Sequence, residues 1–143
     1  MPRPYEMRET RLLKEWIHKN YPDKPQWFRV RLGPAVFEGE EKLYQMLRRW
    51  ADAVVFTGKE ILIIEAKMRP DPAGIAQLEL YRKLFPETPE FKMFWKYPVK
   101  LVFLTTWLDK AVKALCDEKK IEYVVYCPDW AKEYIRQRWG LIE

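Results

Sequence analysis

Three charged residues stand within an otherwise apolar pair of runs between residues 51 and 68. The stretch reads ADAVVFTGKEILIIEAKM, with apolar runs on both sides of TGKE, and the three residues are Asp52, Glu65 and Lys67. Gly58 occupies the first central position of a two-residue loop, where a type II′ turn needs a positive φ. The sequence therefore predicts a β-hairpin that carries charged side chains inside its strands.

Counting outward from this turn brings the two acids together. If the two-residue loop begins at Gly58, Asp52 lies directly opposite Glu65. Directly opposed residues have Cβ atoms about 4.5 to 5.5 Å apart, so two like charges destabilise the pair. Side-chain alternation puts Lys67 on the same face as Glu65, with its ammonium beside both carboxylates. We expect a constellation of two acids and one lysine.

This constellation suits a divalent cation and phosphate chemistry. Mg²⁺ takes oxygen ligands from one or two carboxylates and keeps several waters. A metal-bound water loses its proton more easily, and a nearby lysine can orient it or stabilise charge on a phosphate. The sequence therefore predicts a Mg²⁺ site, with Mn²⁺ able to substitute, formed by Asp52, Glu65 and the carbonyl of Ala66. Lys67 would assist the hydrolysis of a phosphodiester.

Hydrophobic spacing before the hairpin predicts a helix, a strand and a short second helix. ETRLLKEWIHKNYP places its apolar residues at helical spacing. QWFRVRL alternates, with Phe28, Val30 and Leu32 on one face, as in a half-buried strand. EEKLYQMLRRW, residues 40–50, has the single apolar stripe that is typical of a helix.

The chain after the hairpin alternates between helices and strands. RPDPAGIAQLELYRKLF predicts a helix that Asp71 caps and Pro72 opens. VKLVFLT and IEYVVY predict two strands, and TTWLDKAVKALCDEKK between them predicts a Thr-capped helix. Strands joined by a helix are expected to be parallel. PDWAKEYIRQRWG predicts a last helix that ends at Gly140.

Composition favours one compact domain with an acidic partner. The 143 residues are 48% hydrophobic, so we expect residues 1–143 to form a single α/β domain with a mixed central β-sheet flanked by helices. The net charge of +5 permits nucleic acid as a partner. No uncharged apolar run approaches the roughly 20 residues that span a bilayer, and no secretion signal is evident. We expect no membrane partner and a cytoplasmic location.

Aromatic residues are frequent, and most of the seven tryptophans stand at helical stripe positions. This spacing favours burial in the core over base stacking. The last helix carries Trp130, Tyr134 and Trp139, which are available for an interface between two chains, although packing on the chain's own sheet is the expected use.

The charged residues of the hairpin resemble the PD-(D/E)XK nuclease superfamily, with its Asp at Asp52 and its E-x-K at Glu65, Ala66 and Lys67. The D-x-V…IIEAK pattern is most similar to archaeal-type Holliday-junction resolvases. Those proteins also carry a glutamate in the first turn of helix one, with aliphatic residues three and four positions later, and ETRLL matches this at Glu9. The resemblance implies a restriction-endonuclease-like fold and a metal site in which Glu9 is a further carboxylate.

A second motif follows in the helix after the hairpin. QLELY holds Gln77 and Tyr81 one turn apart, which is similar to the Q-x-x-x-Y motif of RecB-type members of the superfamily. The resemblance implies that they position the substrate or the lysine; a surface amide and an aromatic residue at the rim of the core are the alternative. Arg29, Arg31 and Arg69 cluster around the hairpin and could track phosphates, or be solvated surface residues.

The sequence therefore supports the hypothesis of a Mg²⁺-dependent DNA endonuclease, structure-specific and resolvase-like. Paired nicks across a junction would require a homodimer. Residues 33–50 form a longer segment than in the minimal resolvases, which keeps an end-processing nuclease of the RecB type as an alternative. A further alternative is a non-catalytic DNA-binding or structural module of the same fold, in which Glu65 and Lys67 form an ion pair at a strand end.

Overall fold

The structure, a computed structural model, describes residues 4–34 and 49–140. Its helices are α1 (Pro4–Asn20), α2 (Ala73–Leu84), α3 (Lys110–Glu118) and α4 (Asp129–Trp139). Its strands are β1 (Gln26–Leu32), β2 (Arg49–Phe56), β3 (Ile61–Ala66), β4 (Val99–Thr105) and β5 (Ile121–Val125). Two short 3₁₀ helices, Phe85–Glu87 and Pro89–Phe94, separate α2 from β4 and are absent from the sequence prediction.

The strands form one five-stranded sheet in the order β1-β2-β3-β4-β5. The pairs β1–β2 and β2–β3 are antiparallel, whereas β3–β4 and β4–β5 are parallel. Each parallel pair is joined through a helix, because parallel neighbours need a long crossover. The prediction of a single α/β domain with a mixed sheet flanked by helices is confirmed, and this architecture is compatible with a restriction-endonuclease-like fold.

Helices cover both faces of the sheet. Apolar residues of α2 and α3 form one core with one face, and apolar residues of α1 and α4 form a second core with the other face. All six residues of β3 are buried because this strand has a neighbour on each side and helices on both faces. No helix in residues 4–34 or 49–140 is long and apolar enough to cross a bilayer.

The hairpin turn and the end of α4 follow their sequence signals. Gly58 has φ 99°, and the amide of Thr57 donates to the carbonyl of Glu60 at 3.0 Å, so the predicted two-residue loop is confirmed. Asp71 accepts a hydrogen bond from the amide of Ala73 at 2.9 Å, but the N-cap position of α2 is Pro72 and not Asp71 as predicted. The chain leaves α4 through Gly140, as predicted, with a left-handed φ of 63°.

The prediction of a threonine cap for α3 is wrong. Asp109 is the capping residue, and its side chain accepts from the amides of Ala111 and Val112. The helix begins at Lys110, beyond TT at residues 105–106, because β4 runs through Thr105 and the hydroxyl of Thr106 donates to the carbonyl of Met68.

The prediction of a short helix over residues 40–50 is wrong at its end. Arg49 and Trp50 belong to β2, where they pair with Leu32 and Arg31 of β1. Pairing with a neighbouring strand satisfies the backbone groups of these residues and overrides their helical spacing. The remainder of the predicted helix, up to residue 48, lies outside the described residues.

Simple alternation along β1 is also wrong. The sequence predicted Phe28, Val30 and Leu32 on one face. Val30 and Leu32 do share a face, the α2–α3 side, but Phe28 packs on the α1–α4 side. The change of face occurs at Arg29, whose φ of 52° lies in the left-handed region. A non-glycine residue in that region locally reverses the strand's facing, at a cost of order 1–2 kcal/mol.

The paired strand β2 changes face at the same level. Ala53 and Val55 face the α1–α4 side, whereas Ala51 and Val54 both face the α2–α3 side. The residue between the two phases is Asp52. The break in alternation therefore falls on the acid that the sequence singles out.

Candidate functional site

Asp52 and Glu65 come together where β2 and β3 reach the edge of their pairing. Ala53 pairs with Ile64, Asp52 and Glu65 are the next residues outward on the two strands, and both line the same cavity. The Oδ2 of Asp52 accepts a hydrogen bond from the amide of Ala66 at 2.8 Å. This bond fixes one carboxylate against the end of β3.

Glu65 is a buried carboxylate with an incomplete set of partners. The residue is 4% exposed, and its Oε2 lies 3.5 Å from the Nζ of Lys67. Its Oε1 is buried without a hydrogen-bond partner among the described residues. Burial and the negative charge of Asp52 raise the pKa of Glu65 well above its usual range, against the opposing attraction of Lys67. A buried charged oxygen left unpaired is unfavourable unless a cation or a proton neutralises it.

The pKa values of the neighbouring groups reflect the same crowding. Burial raises the pKa of Asp52, and the hydrogen bond from Ala66 and nearby positive charges only partly offset this. Burial lowers the pKa of Lys67, but the carboxylates around it outweigh burial and hold its pKa above the ordinary value. Lys67 therefore stays an ammonium ion at neutral pH and serves as a donor of hydrogen bonds.

Glu9 reaches this site from α1. Its Oε2 accepts from the amide of Met68 at 2.9 Å. The buried residues Leu12 and Leu13 lie three and four positions later, so the rotation of the helix that buries them also turns Glu9 toward the sheet. The resemblance implied that Glu9 lies in the first turn of helix one. It lies in the second turn, because α1 begins at Pro4.

A cavity of about 240 Å³ joins these groups. Its lining comes from α1, β1, β2 and the end of β3, and consists of Glu9, Thr10, Leu13, Phe28, Arg29, Trp50, Ala51, Asp52, Glu65 and Lys67. It therefore gathers three carboxylates, one lysine, one arginine and exposed aromatic surface in one concavity. Sites with a few convergent titratable groups of shifted pKa are candidates for catalysis.

Four of the expected substrate-binding residues lie outside this cavity lining. Tyr81 is 3% exposed, and its hydroxyl donates to the carbonyl of Trp50 at 2.6 Å, so it holds β2 in place. Gln77 is half-buried on α2, with an Oε1 that is buried and unpartnered within the described residues. Arg31 is half-buried and Arg69 is exposed.

Five residues of the lining were not predicted as site residues: Thr10, Leu13, Phe28, Trp50 and Ala51. Thr10 could have been found from its place beside Glu9. Phe28 and Trp50 could not have been found in this way. Strict alternation predicted Phe28 on the same face as Val30 and Leu32, and helical spacing predicted Trp50 in a helix.

A glycine in α2 supports the site from the other layer. A Cβ at Gly74 would lie 2.7 Å from the Cε1 of Phe103 and 3.5 Å from the Cε of Lys67. Only a residue without a side chain lets the start of α2 approach the sheet this closely. The start of α2 thus packs against the aliphatic part of the Lys67 side chain.

The donor set fits a hard cation in part. Within the described residues, no three His, Cys, Asp or Glu side chains are placed as a group that could hold a metal ion. The carboxylates of Asp52 and Glu65 are neighbours, and the Oε1 of Glu65 has no hydrogen-bond partner among these residues. Mg²⁺ accepts such a set because it binds through one or two carboxylates and completes its shell with water.

Comparison with known proteins gives no significant match to a family model, to a curated protein or to a solved structure.

Proposed function

We propose that the protein is a Mg²⁺-dependent DNA nuclease of the PD-(D/E)XK type. The observation that supports this most directly is the buried carboxylate of Glu65 beside Asp52 and Lys67 in one cavity. Its Oε1 has no hydrogen-bond partner in residues 4–34 and 49–140. A protein that only folds around these groups gains nothing from an unpaired buried oxygen, since such atoms are destabilising. A site for a cation gives that oxygen a use.

Asp52 and Glu65 would hold the Mg²⁺ ion, with Glu9 and the carbonyl of Ala66 as further oxygen donors and with Mn²⁺ able to substitute. When bound, the ion would polarise a phosphoryl oxygen and lower the pKa of its water. The hydrogen bond from Ala66 to Asp52 keeps one carboxylate in place before any ion binds.

Lys67 would orient the attacking water and stabilise negative charge on the phosphate. Its ammonium lies 3.5 Å from Glu65, and its side chain is 17% exposed, so it is fixed at the inner wall of the cavity. An ammonium that stays protonated can donate hydrogen bonds to a water and to a phosphate oxygen. It does not act as a general base at neutral pH, because its pKa is raised.

Positive charge at the mouth of the cavity supports a polyanionic substrate. Arg29 lines the cavity, and the whole chain carries a net charge of +5. Lysine and arginine side chains that neutralise phosphates provide most of the non-specific affinity for DNA. A resolvase-like preference for junctions is the finer form of this proposal.

One observation favours a second candidate, a non-catalytic DNA-binding module of the same fold. The described residues offer no grouped set of three potential metal ligands. In such a module, Glu65 and Lys67 would serve as a buried ion pair at the end of β3.

Cleavage assays separate the two candidates. We expect the wild-type protein to cleave some member of a panel of junction, duplex, flapped and single-stranded DNA in Mg²⁺ or Mn²⁺, and none in EDTA. Asp52→Asn, Glu65→Gln and Lys67→Ala should each lower the rate by at least ~100-fold. These variants should keep their fold and most of their affinity for DNA.

Two acids of α1 provide a matched comparison. Glu9→Gln should weaken metal-dependent cleavage, whereas Glu15→Gln should not, because Glu15 bonds to Trp130 of α4 instead. Full Mg²⁺-dependent cleavage by Asp52→Asn would overturn the site. DNA binding without cleavage of any substrate would establish the non-catalytic module.

A further inference from the structure

Trp50 is an exposed tryptophan at the mouth of the cavity. It is 53% exposed and lines the same cavity as Asp52 and Glu65. The neighbouring residue in β2, Ala51, is fully buried. An indole placed this way contributes little to the core, in contrast to the core position that its helical spacing predicted.

The backbone beneath this indole is firmly held. Trp50 pairs with Arg31 across the β1–β2 ladder, and its carbonyl accepts the 2.6 Å hydrogen bond from the buried Tyr81. The exposed ring therefore projects from a fixed strand. Rigid elements position a binding group more accurately than loops do.

Two arginines of β1 accompany the ring. The guanidinium carbons of Arg29 and Arg31 lie over the Trp50 ring, 5.9 and 5.6 Å from its centroid, as in cation–π contacts. Arg29 is itself the residue whose left-handed φ changes the facing of β1. The Nε of Arg31 is buried without a hydrogen-bond partner among the described residues. An aromatic face beside basic groups is the combination that proteins use to bind single-stranded nucleic acid.

We propose that Trp50, Arg29 and Arg31 form a stacking platform for an unpaired nucleotide beside the cleaved phosphate. This inference deepens the proposed nuclease function and rests on it for the position of that phosphate. The base would replace a guanidinium group over the indole of Trp50, and the two arginines would then contact its flanking phosphates.

The distance along β2 fits such an arrangement. Trp50 and Asp52 are two residues apart, so their Cα atoms are separated by about 6.6 Å at the usual strand rise. A base on Trp50 would therefore belong to a nucleotide close to the one at the carboxylates.

The platform favours unpaired DNA because a base inside a duplex is already stacked on both faces. Apart from the terminal pair of a duplex, an indole can reach the face of a base only in a single strand, a flap or an opened junction. The platform thus predicts the substrate class: DNA with unpaired nucleotides at or near the cleavage point.

Fluorescence anisotropy in EDTA tests this inference without any cleavage. The probes are a fluorescein-labelled single strand of about 12 nucleotides, within the usual site sizes, and a blunt duplex of the same length. Trp50→Ala and Trp50→Leu should each bind the single strand about 5- to 100-fold more weakly, and the duplex nearly as the wild type does. Trp50→Phe, which keeps an aromatic face, should retain most of the affinity.

Trp95→Ala is the matched control, since Trp95 is also exposed (38%) but is absent from the cavity lining. It should bind both probes as the wild type does. Circular dichroism and thermal melting confirm that each variant folds, and Trp50→Leu preserves apolar contacts if Trp50→Ala is unstable.

The outcomes separate this inference from the nuclease proposal. Equal losses on both probes, or no loss in either Trp50 variant, would overturn the platform even if Mg²⁺-dependent cleavage is found. A selective loss on the single strand would support the platform, and would do so even in a protein that cleaves nothing.

Discussion

Glu65 sets the electrostatic balance of the site. One of its oxygens contacts Lys67 at 3.5 Å, and the other is buried without a partner in the part of the chain that the structure describes. Its pKa is raised even with the attraction of Lys67 included. Neutralising Glu65 should therefore stabilise the metal-free protein, although it removes one partner of the lysine.

The sign of the pH dependence follows from this shift. The folded chain holds the proton of Glu65 more tightly than the unfolded chain does, because its pKa lies above the ordinary 4.5. The stability that this proton contributes is greatest below the ordinary pKa and is lost as the pH rises through the raised pKa. Glu65→Gln should thus match the wild type near the acid end and be more stable by ~1–3 kcal/mol at neutral pH and above.

Urea unfolding from acid to mildly basic pH, with EDTA present, measures this difference. Mg²⁺ should reverse its sign, since an ion that binds the folded state at a hundredfold its Kd stabilises by about 2.7 kcal/mol. The wild type should gain this stability and Glu65→Gln should not. Equal free energies of unfolding for the two proteins in EDTA at high pH would show that the buried charge of Glu65 does not destabilise the folded protein.

At the scale of the elements, the start of α2 controls the position of Lys67. Gly74 lies against Phe103, which is fully buried and cannot move aside without disturbing β4. A methyl group at this position would meet the ring of Phe103 at 2.7 Å. We expect α2 to shift outward and Lys67 to lose its enclosure.

Gly74→Ala should therefore lower stability by ~1–3 kcal/mol through overpacking, despite the better helix propensity of alanine, and should also lower cleavage. Ala76→Gly is the control, because Ala76 is exposed on the same helix and its loss of propensity costs up to ~1 kcal/mol. It should destabilise without an effect on cleavage. Thermal melting and cleavage rates of both variants, measured below their melting temperatures, distinguish a local shift from general destabilisation.

Elements defined by local chemistry were predictable from the sequence. Gly58 predicted the two-residue loop of the hairpin and the β2–β3 pairing that follows from it, and Gly140 predicted the end of α4. Local turn and cap chemistry suffices for such features because it depends on a few neighbouring residues.

Features that depend on a partner strand were not predictable. Trp50 has helical spacing with the residues before it, yet it pairs with Arg31 in β2. Phe28 follows the alternation of β1, but the left-handed Arg29 reverses the facing of the strand. The bond from Tyr81, predicted to position the substrate or the lysine, to the backbone of Trp50 was likewise not visible in the sequence. Each depends on contacts between distant parts of the chain that single-sequence periodicity does not contain.

At the scale of the whole molecule, residues 4–34 and 49–140 hold one candidate site, and the proposed junction substrate needs two nicks. Two copies related by two-fold symmetry would supply them. The aromatic residues of α4 are used within the chain: Trp130, Tyr134 and Trp139 pack against the core on the α1–α4 side, and Trp130 donates to Glu15. Internal packing, the expected use of these residues, is thus what the structure shows.

The resolvase-like form of the proposal predicts a dimer that prefers junctions. Sedimentation at assay concentrations should show two chains per particle, and a four-way junction should be cleaved faster than a linear duplex of the same sequence. Affinity should fall steeply with salt, with a slope of about 0.9 per phosphate contact on a logarithmic scale. Arg29→Ala should reduce this slope by about one if Arg29 contacts a phosphate. A monomer that degrades linear ends and ignores junctions would contradict the resolvase-like form and favour the RecB-type alternative, because exonucleolytic digestion of an end requires only one site.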